Sequence, residues 1–304
     1  MNSDLRASMP SVKILLLGNT GQLGWELERS LAVLGTVTAL DYPAINLADA
    51  DSILPLVRQL QPQIIVNATA YTAVDRAESE PDLVMAINAI APGLLAEAAR
   101  ELGAAFIHYS TDYVFDGRKG SPYTEADPPN PLGVYGQSKL AGEQAVLNSG
   151  AAALVLRTSW VYSLRRDSFV TKVLAWARQQ PELRLVADQV SGPTWARALA
   201  EITALLLARS GSDPAGWLRE RRGLYHLAGA GYCSRLEWGQ AILRLDAHPE
   251  DQLTRSILPA RTDDFPTPAQ RPLFSALDCA RFSDTFDLRL PDWQLALRLA
   301  MEGG

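Results

Sequence analysis

Residues 12–24, VKILLLGNTGQLG, are the stretch that decides the fold of this chain. The first six residues form an apolar run interrupted only by Lys13, which is typical of a strand covered on both faces of a sheet. Three glycines follow at three-residue spacing: Gly18, Gly21 and Gly24. Leucines then recur every fourth residue from Leu23, which predicts an amphipathic helix. Glycines let a backbone approach a pyrophosphate, and a helix N-terminus offers it N–H groups, so the unit predicts a dinucleotide site. An ordinary strand–helix turn is the alternative.

Strand-like and helix-like segments alternate through the first half of the chain. Apolar runs predict further strands at 36–40, 63–68, 104–108 and 152–156, and helical patterns lie between them at 52–60, 81–102 and 131–147. We expect Gly35 to end the first helix, and Asn130 and Pro131 to be the cap and first residue of the helix at 131–147. This order, with its short connections, predicts an α/β fold with a Rossmann-type doubly wound parallel sheet.

The regular alternation stops after residue 162. Helical segments at 168–180 and 197–208 are separated by turn-rich pieces, and 223–227 is predicted as one strand that returns to the sheet. We therefore predict an NAD(P)-binding domain over 12–162, with a returning strand near 223–229. A smaller, interleaved C-terminal substrate lobe would occupy 163–304. The polar, aperiodic residues 1–11 are predicted to be a disordered tail.

The composition of the 304 residues excludes several classes of protein. Apolar residues make up 47% and charged residues 20%, which is ordinary for a globular protein and too apolar for a disordered one. The net charge of −6 leaves no basic footprint for nucleic acid. Purely apolar runs are much shorter than a membrane span and the N-terminus lacks a signal-peptide core, so we expect a cytoplasmic protein without a membrane partner. Two isolated cysteines, Cys233 and Cys279, indicate neither a zinc site nor a disulfide framework.

Asp41 ends the second predicted strand, about twenty residues beyond the glycines. A carboxylate at this place can bind the diol of an adenosine ribose, whereas a turn or N-cap aspartate is the alternative. No arginine or lysine lies within 36–57. Nothing nearby in the sequence could therefore meet a 2′-phosphate, and we expect NADH to be at least as acceptable as NADPH. Asn46 and Leu47 are predicted on a third strand, where an amide and an apolar side chain could flank adenine.

Tyr135 and Lys139 are four residues apart and therefore lie on one face of a helix. A lysine charge about 4 Å away would favour the phenolate by up to about 4 kcal/mol at an effective dielectric near 20, which would lower the tyrosine pKa towards neutrality. Such pairs are common on helix surfaces, which is the alternative interpretation. The tripeptide Ser110-Thr111-Asp112 at a strand end favours catalysis, because a hydroxyl there could bind the same substrate oxygen.

Together these motifs resemble those of the extended short-chain dehydrogenase/reductases and, within them, the dTDP-4-dehydrorhamnose reductases. The resemblance runs from about residue 13 to about residue 300. Two matching segments are shared across the superfamily: GNTGQLGWEL at 18–27 and VYGQSKLAGE at 134–143. Four are more specific to the family: VNATAYTAVDRAESEP at 66–81, HYSTDYVFDG at 108–117, RTSWVY at 157–162 and TPAQRP at 267–272.

The resemblance implies an NAD(P)H-dependent reductase that acts on the C4 keto group of a dTDP-linked sugar. It makes Tyr135 the proton donor, Lys139 the residue that lowers its pKa and holds the nicotinamide ribose, and Thr111 the hydroxyl that orients the carbonyl. The implied sugar contacts are Asp112, Tyr113 and Trp160. Cofactor contacts are predicted at Gly18, Gly21, Gln22, Leu23, Gly24, Asp41, Asn46, Leu47, Ala70, Tyr71, Thr72, Tyr135 and Lys139.

Several alternatives stay open at this point. Glu26 lies where some members of the family hold Mg²⁺ at a dimer contact, but Arg197 replaces a glutamate of those members. We therefore predict no metal ligands, keep Mg²⁺ as an open alternative that this replacement disfavours, and leave a monomer or a homodimer open. The substrate could be another dTDP-4-keto-6-deoxyhexose. A non-catalytic regulatory subunit of the methionine adenosyltransferase type is a further alternative, against which the joint presence of Thr111, Tyr135 and Lys139 speaks.

Overall fold

Six of the strands pair in parallel to form one central sheet. The computed structural model describes residues 12–303, and its strands are β1 (Val12–Leu17), β2 (Gly35–Leu40), β3 (Ile64–Asn67), β4 (Ala105–Thr111), β5 (Ala152–Thr158), β6 (Val161–Tyr162), β7 (Glu182–Val186), β8 (Val190–Ser191), β9 (Thr194–Trp195), β10 (Gly223–His226), β11 (Cys233–Ser234) and β12 (Ser256–Ala260). The order across the central sheet is β2-β1-β3-β4-β5-β10. The predicted α/β fold with a parallel sheet is confirmed. The predicted tail, residues 1–11, lies outside the described residues.

Helices cover both faces of this sheet. They are α1 (Gln22–Leu31), α2 (Ala50–Leu60), α3 (Val74–Ala77), α4 (Pro81–Met85), α5 (Ala91–Leu102), α6 (Val134–Asn148), α7 (Phe169–Ala177), α8 (Ala196–Ala208), α9 (Pro214–Arg221), α10 (Arg235–Arg244), α11 (Ala280–Phe286) and α12 (Trp293–Glu302). In β1, Ile14 and Leu16 face the core beneath α1 and α8, whereas Leu15 and Leu17 face the core beneath α2 and α5. Because successive strand residues face opposite sides, burial of both faces requires the continuous apolar runs of the sequence.

The strand order reverses direction at β1, which lies between β2 and β3. In an open parallel sheet, such a reversal leaves a crevice at the carboxyl ends of the two diverging strands, and ligands bind there. Gly18 follows β1 at this edge, and Ala68 follows β3. The fold therefore places the predicted dinucleotide turn at the mouth of the crevice.

The chain after residue 162 contributes both to the sheet and to a second core. β10 extends the sheet beside β5, and α8 packs against α1. The second core joins α7, α10 and α12 through buried side chains that include Val173, Trp238 and Leu297. The short strands β7 and β12 pair in parallel next to it. The predicted domain boundary at residue 162 stays a prediction.

The helical stretch 81–102 is continuous but changes its winding. A π-helical turn, Ala86–Ile90, separates α4 from α5. Within that turn the Asn88 side chain accepts a hydrogen bond from the Tyr71 backbone N–H and donates to the Tyr71 carbonyl and the Ser138 hydroxyl. By length and composition this stretch could cross a membrane, but half of its apolar window is buried within the protein. It is accounted for as a core helix packed on the sheet and on α6.

The prediction that Gly35 ends the first helix is wrong. α1 already ends at Leu31, and Gly35 is the first residue of β2. A Cβ atom at Gly35 would lie 2.1 Å from the carbonyl oxygen of Val12 on the neighbouring strand. The glycine is therefore required by the close approach of β1 and β2, not by a helix C-terminus.

The predicted start of the helix at Pro131 is also wrong. α6 begins at Val134, after Gly133. The backbone N–H of Val134 donates to the Glu78 carboxylate at 2.9 Å, so the helix start is capped by a side chain from a distant segment. The backbone N–H of Asn130 instead donates to the carbonyl of Val114, which holds that residue outside the helix.

Candidate active site

A cavity of about 590 Å³ opens at the carboxyl edge of the sheet. It brings together ten of the predicted site residues: Gly21, Gln22, Leu23, Ala70, Thr72, Thr111, Asp112, Tyr135, Lys139 and Trp160. Seven others lie outside its lining: Gly18, Gly24, Asp41, Asn46, Leu47, Tyr71 and Tyr113. Residues of α1, β4, β5 and α6 and of the segments that follow β1 and β3 thus converge on one space although they are far apart in the sequence.

The glycine turn leaves the start of α1 open towards this cavity. Gly18 has a φ of +89°, and Gly21 precedes α1 without any side-chain cap. A Cβ atom at Gly24 would lie 1.9 Å from the Gly18 carbonyl oxygen, so only glycine allows the helix to pack this closely on the turn. Backbone N–H groups at a helix start that have no side-chain cap favour a bound anion. These residues therefore fit the pyrophosphate of a dinucleotide.

Asp41 lies directly after β2 and is fixed by the glycine turn. Its carboxylate accepts hydrogen bonds from the Thr20 N–H at 3.2 Å and from the Thr20 hydroxyl at 2.6 Å. Two guanidinium groups reach the same turn, because Arg165 and Arg166 both donate to the Thr20 carbonyl. The sequence analysis missed these cations because they follow Thr20 by about 145 residues. Both a carboxylate and positive charge are therefore available beside this turn.

The prediction that Asn46 and Leu47 lie on a third strand is wrong. They belong to the loop between β2 and α2, where the Asn46 side chain accepts a hydrogen bond from the Ala48 N–H. Such an Asx turn favours a loop over a strand. The third strand of the chain is β3, and the segment with Ala70 and Thr72 follows it rather than a fourth strand.

Tyr135 and Thr111 meet at the floor of the cavity. Tyr135 lies in the first turn of α6, and Thr111 is the last residue of β4. Burial raises the pKa of Tyr135 above its ordinary value, and the hydrogen bond with the Thr111 side chain opposes that rise. The Tyr113 ring contacts the Tyr135 ring edge-on, with centroids 5.7 Å apart. Thr111 and Tyr135 can therefore address one oxygen atom in the cavity.

Lys139 lies deeper than Tyr135 and is almost fully buried. Its ammonium group donates to the Tyr109 carbonyl at 2.7 Å. Burial lowers the pKa of Lys139 to about 8, and the nearby Glu143 carboxylate opposes that shift. The net pKa of Tyr135 is raised rather than lowered towards neutrality as the spacing to Lys139 predicted, because burial of the Tyr135 hydroxyl dominates. Lys139 is instead directed at the backbone of β4.

Asp112 connects the end of β4 to the second half of the chain. One carboxylate oxygen accepts hydrogen bonds from the Ser191 hydroxyl at 3.0 Å and the Ser275 hydroxyl at 2.5 Å. Burial raises the pKa of Asp112 to about 6, against the opposing effect of its hydroxyl donors, among them Thr111. Asp112 thus links segments on both sides of the cavity, besides lining it.

A second cavity of about 740 Å³ adjoins the first, and the sequence analysis missed most of it. Trp160, Gln22 and Val161 line both cavities. The further lining is rich in cations and aromatic rings, which include Phe169, Lys172, Trp176, Arg184, Arg235, Trp238, Phe265 and Arg271. Such a surface suits a ligand that combines negative charge with a flat ring.

Trp160 and Arg235 form the wall at the junction of the two cavities. Trp160 has a φ of +41°, which is unusual for a residue with a side chain. The Arg235 guanidinium lies 3.6 Å from the centroid of the Trp160 ring. Burial lowers the pKa of Arg235 to about 10, so the group keeps its charge at neutral pH. The Trp160 ring therefore offers a ligand an apolar surface, and the Arg235 guanidinium packed against it offers a fixed positive charge.

A family model described as RmlD substrate binding domain matches residues 12–303. The chain belongs to this family. Two curated relatives support the assignment over nearly their whole length. A dTDP-4-dehydrorhamnose reductase from Burkholderia thailandensis is 41% identical over 299 residues, which cover 95% of this chain and 98% of that protein. A dTDP-4-dehydrorhamnose reductase from Escherichia coli K12 is 40% identical over 292 residues, with coverage of 94% and 96%.

A solved structure of the same kind matches the fold of this RmlD family member. It is the dTDP-4-dehydrorhamnose reductase of Bacillus anthracis in complex with NADP, with a TM-score of 0.87 and 30% sequence identity. The match covers 97% of this chain and 100% of that chain. The agreement therefore extends over both the sheet and the segments that line the second cavity.

Glu26 is paired with an arginine in this member of the RmlD family. The Arg197 guanidinium lies 3.5 Å from the Glu26 carboxylate and pairs with it. A divalent cation bound to Glu26 would meet the charge of Arg197 at short range. Arg197 thus supplies, from within the chain, a positive charge that balances the Glu26 carboxylate.

The two family-specific motifs at 66–81 and 267–272 are joined by an ion pair that the sequence could not show. The Arg271 guanidinium donates to both carboxylate oxygens of Asp75, at 2.8 and 2.9 Å. Asp75 lies in α3, which follows β3, and Arg271, 196 positions further along the chain, lines the second cavity. Their presence in two family-specific motifs was a signal of importance, but nothing in the sequence indicated the pairing.

Proposed function

We propose that this chain uses NADPH or NADH to reduce the C4 keto group of dTDP-4-dehydro-L-rhamnose, giving dTDP-L-rhamnose. The observation that carries the proposal is the convergence of Thr111, Tyr135 and Lys139 on one cavity beside the glycine turn. The names of the relatives, which are 40–41% identical over nearly the whole chain, support the choice of substrate.

In this proposal the chain supplies the proton of the reaction. A bound nicotinamide would supply a hydride to C4 of the sugar. Tyr135 donates its hydroxyl proton to the carbonyl oxygen, so C4=O becomes CH–OH and a phenolate remains on Tyr135. The Thr111 hydroxyl, which also opposes the rise in the pKa of Tyr135, is proposed to hold the same oxygen. Lys139 is charged at neutral pH because its pKa is about 8, and it stabilises the phenolate and holds the nicotinamide ribose.

The second cavity is the proposed site for the dTDP group. Its Arg235 and Lys172 side chains can pair with a diphosphate, and its aromatic rings can lie against thymine. Trp160 lies on the wall between the two cavities, so a sugar attached to that diphosphate can reach Tyr135. Asp112 and Tyr113 are proposed to border the sugar.

Asp41 and the two arginines of the glycine turn support acceptance of both cofactors. The Asp41 carboxylate can bind a ribose diol, and Arg165 with Arg166 can meet a 2′-phosphate. We also propose that the protein works in the cytoplasm, as a monomer or homodimer, without a nucleic-acid or membrane partner. The net charge of −6 and the burial of the apolar stretch 81–102 support this.

The test is a spectrophotometric assay of NADH and NADPH oxidation, run in parallel with dTDP-4-dehydro-L-rhamnose formed in situ. We expect turnover with both cofactors, and NMR of the product should show the stereochemistry of dTDP-L-rhamnose. Y135F should lower kcat by about 10²–10⁴-fold, the usual contribution of a general acid, with cofactor affinity unchanged.

Y225F is the matched control, because the Tyr225 hydroxyl donates to the Arg221 carbonyl away from the cavity. This variant should keep the kcat of the unmodified protein. A product of other stereochemistry would assign the chain to a different 4-keto-6-deoxyhexose. Absence of NAD(P)H oxidation with the keto sugar would overturn the proposal and favour a regulatory role.

A further inference from the structure

His108 lies behind Lys139 and has no part in the proposed chemistry. Its side chain is fully buried on β4, directly paired in the sheet with Asn67 of β3. The Asn67 amide nitrogen lies 3.2 Å from His108 Nδ1, and Lys139 Nζ lies 3.5 Å from His108 Nε2. The imidazole is therefore held between an amide and the ammonium group that lines the cavity.

The hydrogen bonds around Asn67 decide which ring nitrogen of His108 carries the proton. The backbone N–H of Thr69 donates to the Asn67 side chain at 3.1 Å, and a backbone N–H can only donate, so the accepting atom is Oδ1. The amide NH₂ of Asn67 then faces His108, and Nδ1 must accept from it. Burial and the nearby Lys139 charge hold the pKa of His108 well below its usual value, so the ring is neutral. The single proton of His108 is therefore on Nε2, facing Lys139.

This tautomer limits what Lys139 can bond on its buried side. The ammonium group has three N–H donors, and one of them is used by the Tyr109 carbonyl. An acceptor at the position of His108 Nε2 would take a second N–H of Lys139. The Nε2–H tautomer instead presents a donor at this position. We propose that His108 is a positioning residue, which keeps two N–H donors of Lys139 available for a ligand in the cavity. The inference rests on the proposed role of Lys139 at the nicotinamide ribose.

The charges around Lys139 come from several elements, and they bear on any pH test. Glu143 lies one turn further along α6 and favours the ammonium form of Lys139. Its carboxylate is itself paired with the guanidinium of Arg157 from β5. Tyr135 precedes Lys139 by one turn of α6, and Asp112 acts electrostatically on Tyr135 from the end of β4. Variants at His108 and Asn67 leave all four groups unchanged.

The tautomer can be measured without any substrate. Ring ¹⁵N NMR of histidine-labelled protein distinguishes Nε2–H, Nδ1–H and charged imidazole, and the H108F variant identifies the signal of His108 among three histidines. We expect the neutral Nε2–H form at pH 6 to 9. An Nδ1–H ring or a charged ring in that range would overturn the inference, whatever the activity of the protein.

Two variants separate a donor-sparing role from a merely structural one. H108F removes the ring nitrogens and offers Lys139 no acceptor, so the dissociation constant of NADPH should stay within about threefold of the unmodified protein. N67D places a carboxylate that accepts from Nδ1–H, which turns Nε2 into an acceptor towards Lys139. One N–H of the Lys139 ammonium then bonds with His108 Nε2 instead of with the ligand, so NADPH should bind about tenfold more weakly. The pH above which NADPH binding is lost should also move upward, because the ammonium gains an acceptor.

H226F is the matched control, because His226 is a second fully buried histidine that contacts Arg157 and not Lys139. It should leave NADPH binding unchanged. Equal losses in H108F and N67D, a loss in H108F alone, or no loss in N67D would each overturn the inference. NADPH binding that follows the expected order in a protein without turnover of the keto sugar would support the inference while refuting the proposed reaction.

Discussion

Breaking the buried ion pair between Glu143 and Arg157 should be among the most destabilising single changes in α6. Arg157 donates to both carboxylate oxygens of Glu143 at 2.6 and 2.8 Å, and the Ser110 hydroxyl donates to one of them at 2.5 Å. The two side chains are 1% and 3% exposed. E143Q keeps the shape of the side chain but leaves the Arg157 charge without a counter-charge.

Removing one partner of a buried pair costs about 3–5 kcal/mol of unfolding free energy. For a chain of 304 residues this corresponds to a fall in Tm of about 5–8 °C. The matched control is E101Q, whose carboxylate also accepts two hydrogen bonds from one arginine, Arg58, but at 32% and 49% exposure. That surface pair should contribute less than about 1 kcal/mol. Thermal and urea unfolding at pH 7 measure both changes.

Equal losses in E143Q and E101Q would refute the reasoning, since burial would then add nothing. The double variant E143L/R157M removes both charges and should recover part of the stability lost in E143Q, because no uncompensated charge remains. A double variant less stable than E143Q would equally contradict the argument. α6 also carries Tyr135 and Lys139, so we expect E143Q to lower kcat as well as stability.

Three further predictions concern the glycine turn, the ribose site and the buried carboxyl. G24A should weaken NADPH binding more than tenfold, because its Cβ would lie 1.9 Å from the Gly18 carbonyl oxygen; G103A, with open space around its Cβ, should cost stability but not affinity. D41A should raise the KM for NADH more than that for NADPH, since only NADH offers both ribose hydroxyls, and equal effects in steady-state kinetics would contradict this role. The pKa of Asp112 is raised from 3.8 to about 6, so folding takes up a proton between these values and its contribution to stability rises as the pH falls through that window. In urea unfolding, the free energy of unfolding of the unmodified protein relative to that of D112N should rise by about 2 kcal/mol from pH 7 to pH 4.

Local patterns in the sequence were sufficient to predict the sheet and its ligand edge. The run 12–17, the glycines behind it and the leucines from Leu23 each indicate an element through a period or a turn requirement. Strand ends in a parallel sheet share one edge, so Thr111 could be assigned to the edge of the glycine turn. Tyr135 was assigned to the same site from its spacing to Lys139 and from the family resemblance. These features depend on neighbours in the chain, which the sequence displays directly.

Features that depend on pairing across the fold could not be predicted. Glu78 caps α6 from 56 positions away, and Arg165 reaches the glycine turn across 145 positions. The rise in the pKa of Tyr135 comes from burial, whereas the sequence showed only a lysine at the right spacing. The tautomer of His108 required the register of β3 on β4, which sets Asn67 beside it. In each case the missing information is a distance between segments.

The π-helical turn at Ala86–Ile90 has a consequence for how this chain can evolve. A single residue corresponds to about 100° of rotation around an α-helix. Deleting any one position of the turn would restore uniform α-helical winding. The residues before the deletion would then rotate around the helix axis, away from the Tyr71 backbone, whose N–H and carbonyl Asn88 now binds. Substitutions on the outside of this helix leave that geometry intact. Selection should therefore act here on the spacing of residues more strongly than on their identity. Homologues should differ in this segment by substitutions far more often than by insertions or deletions.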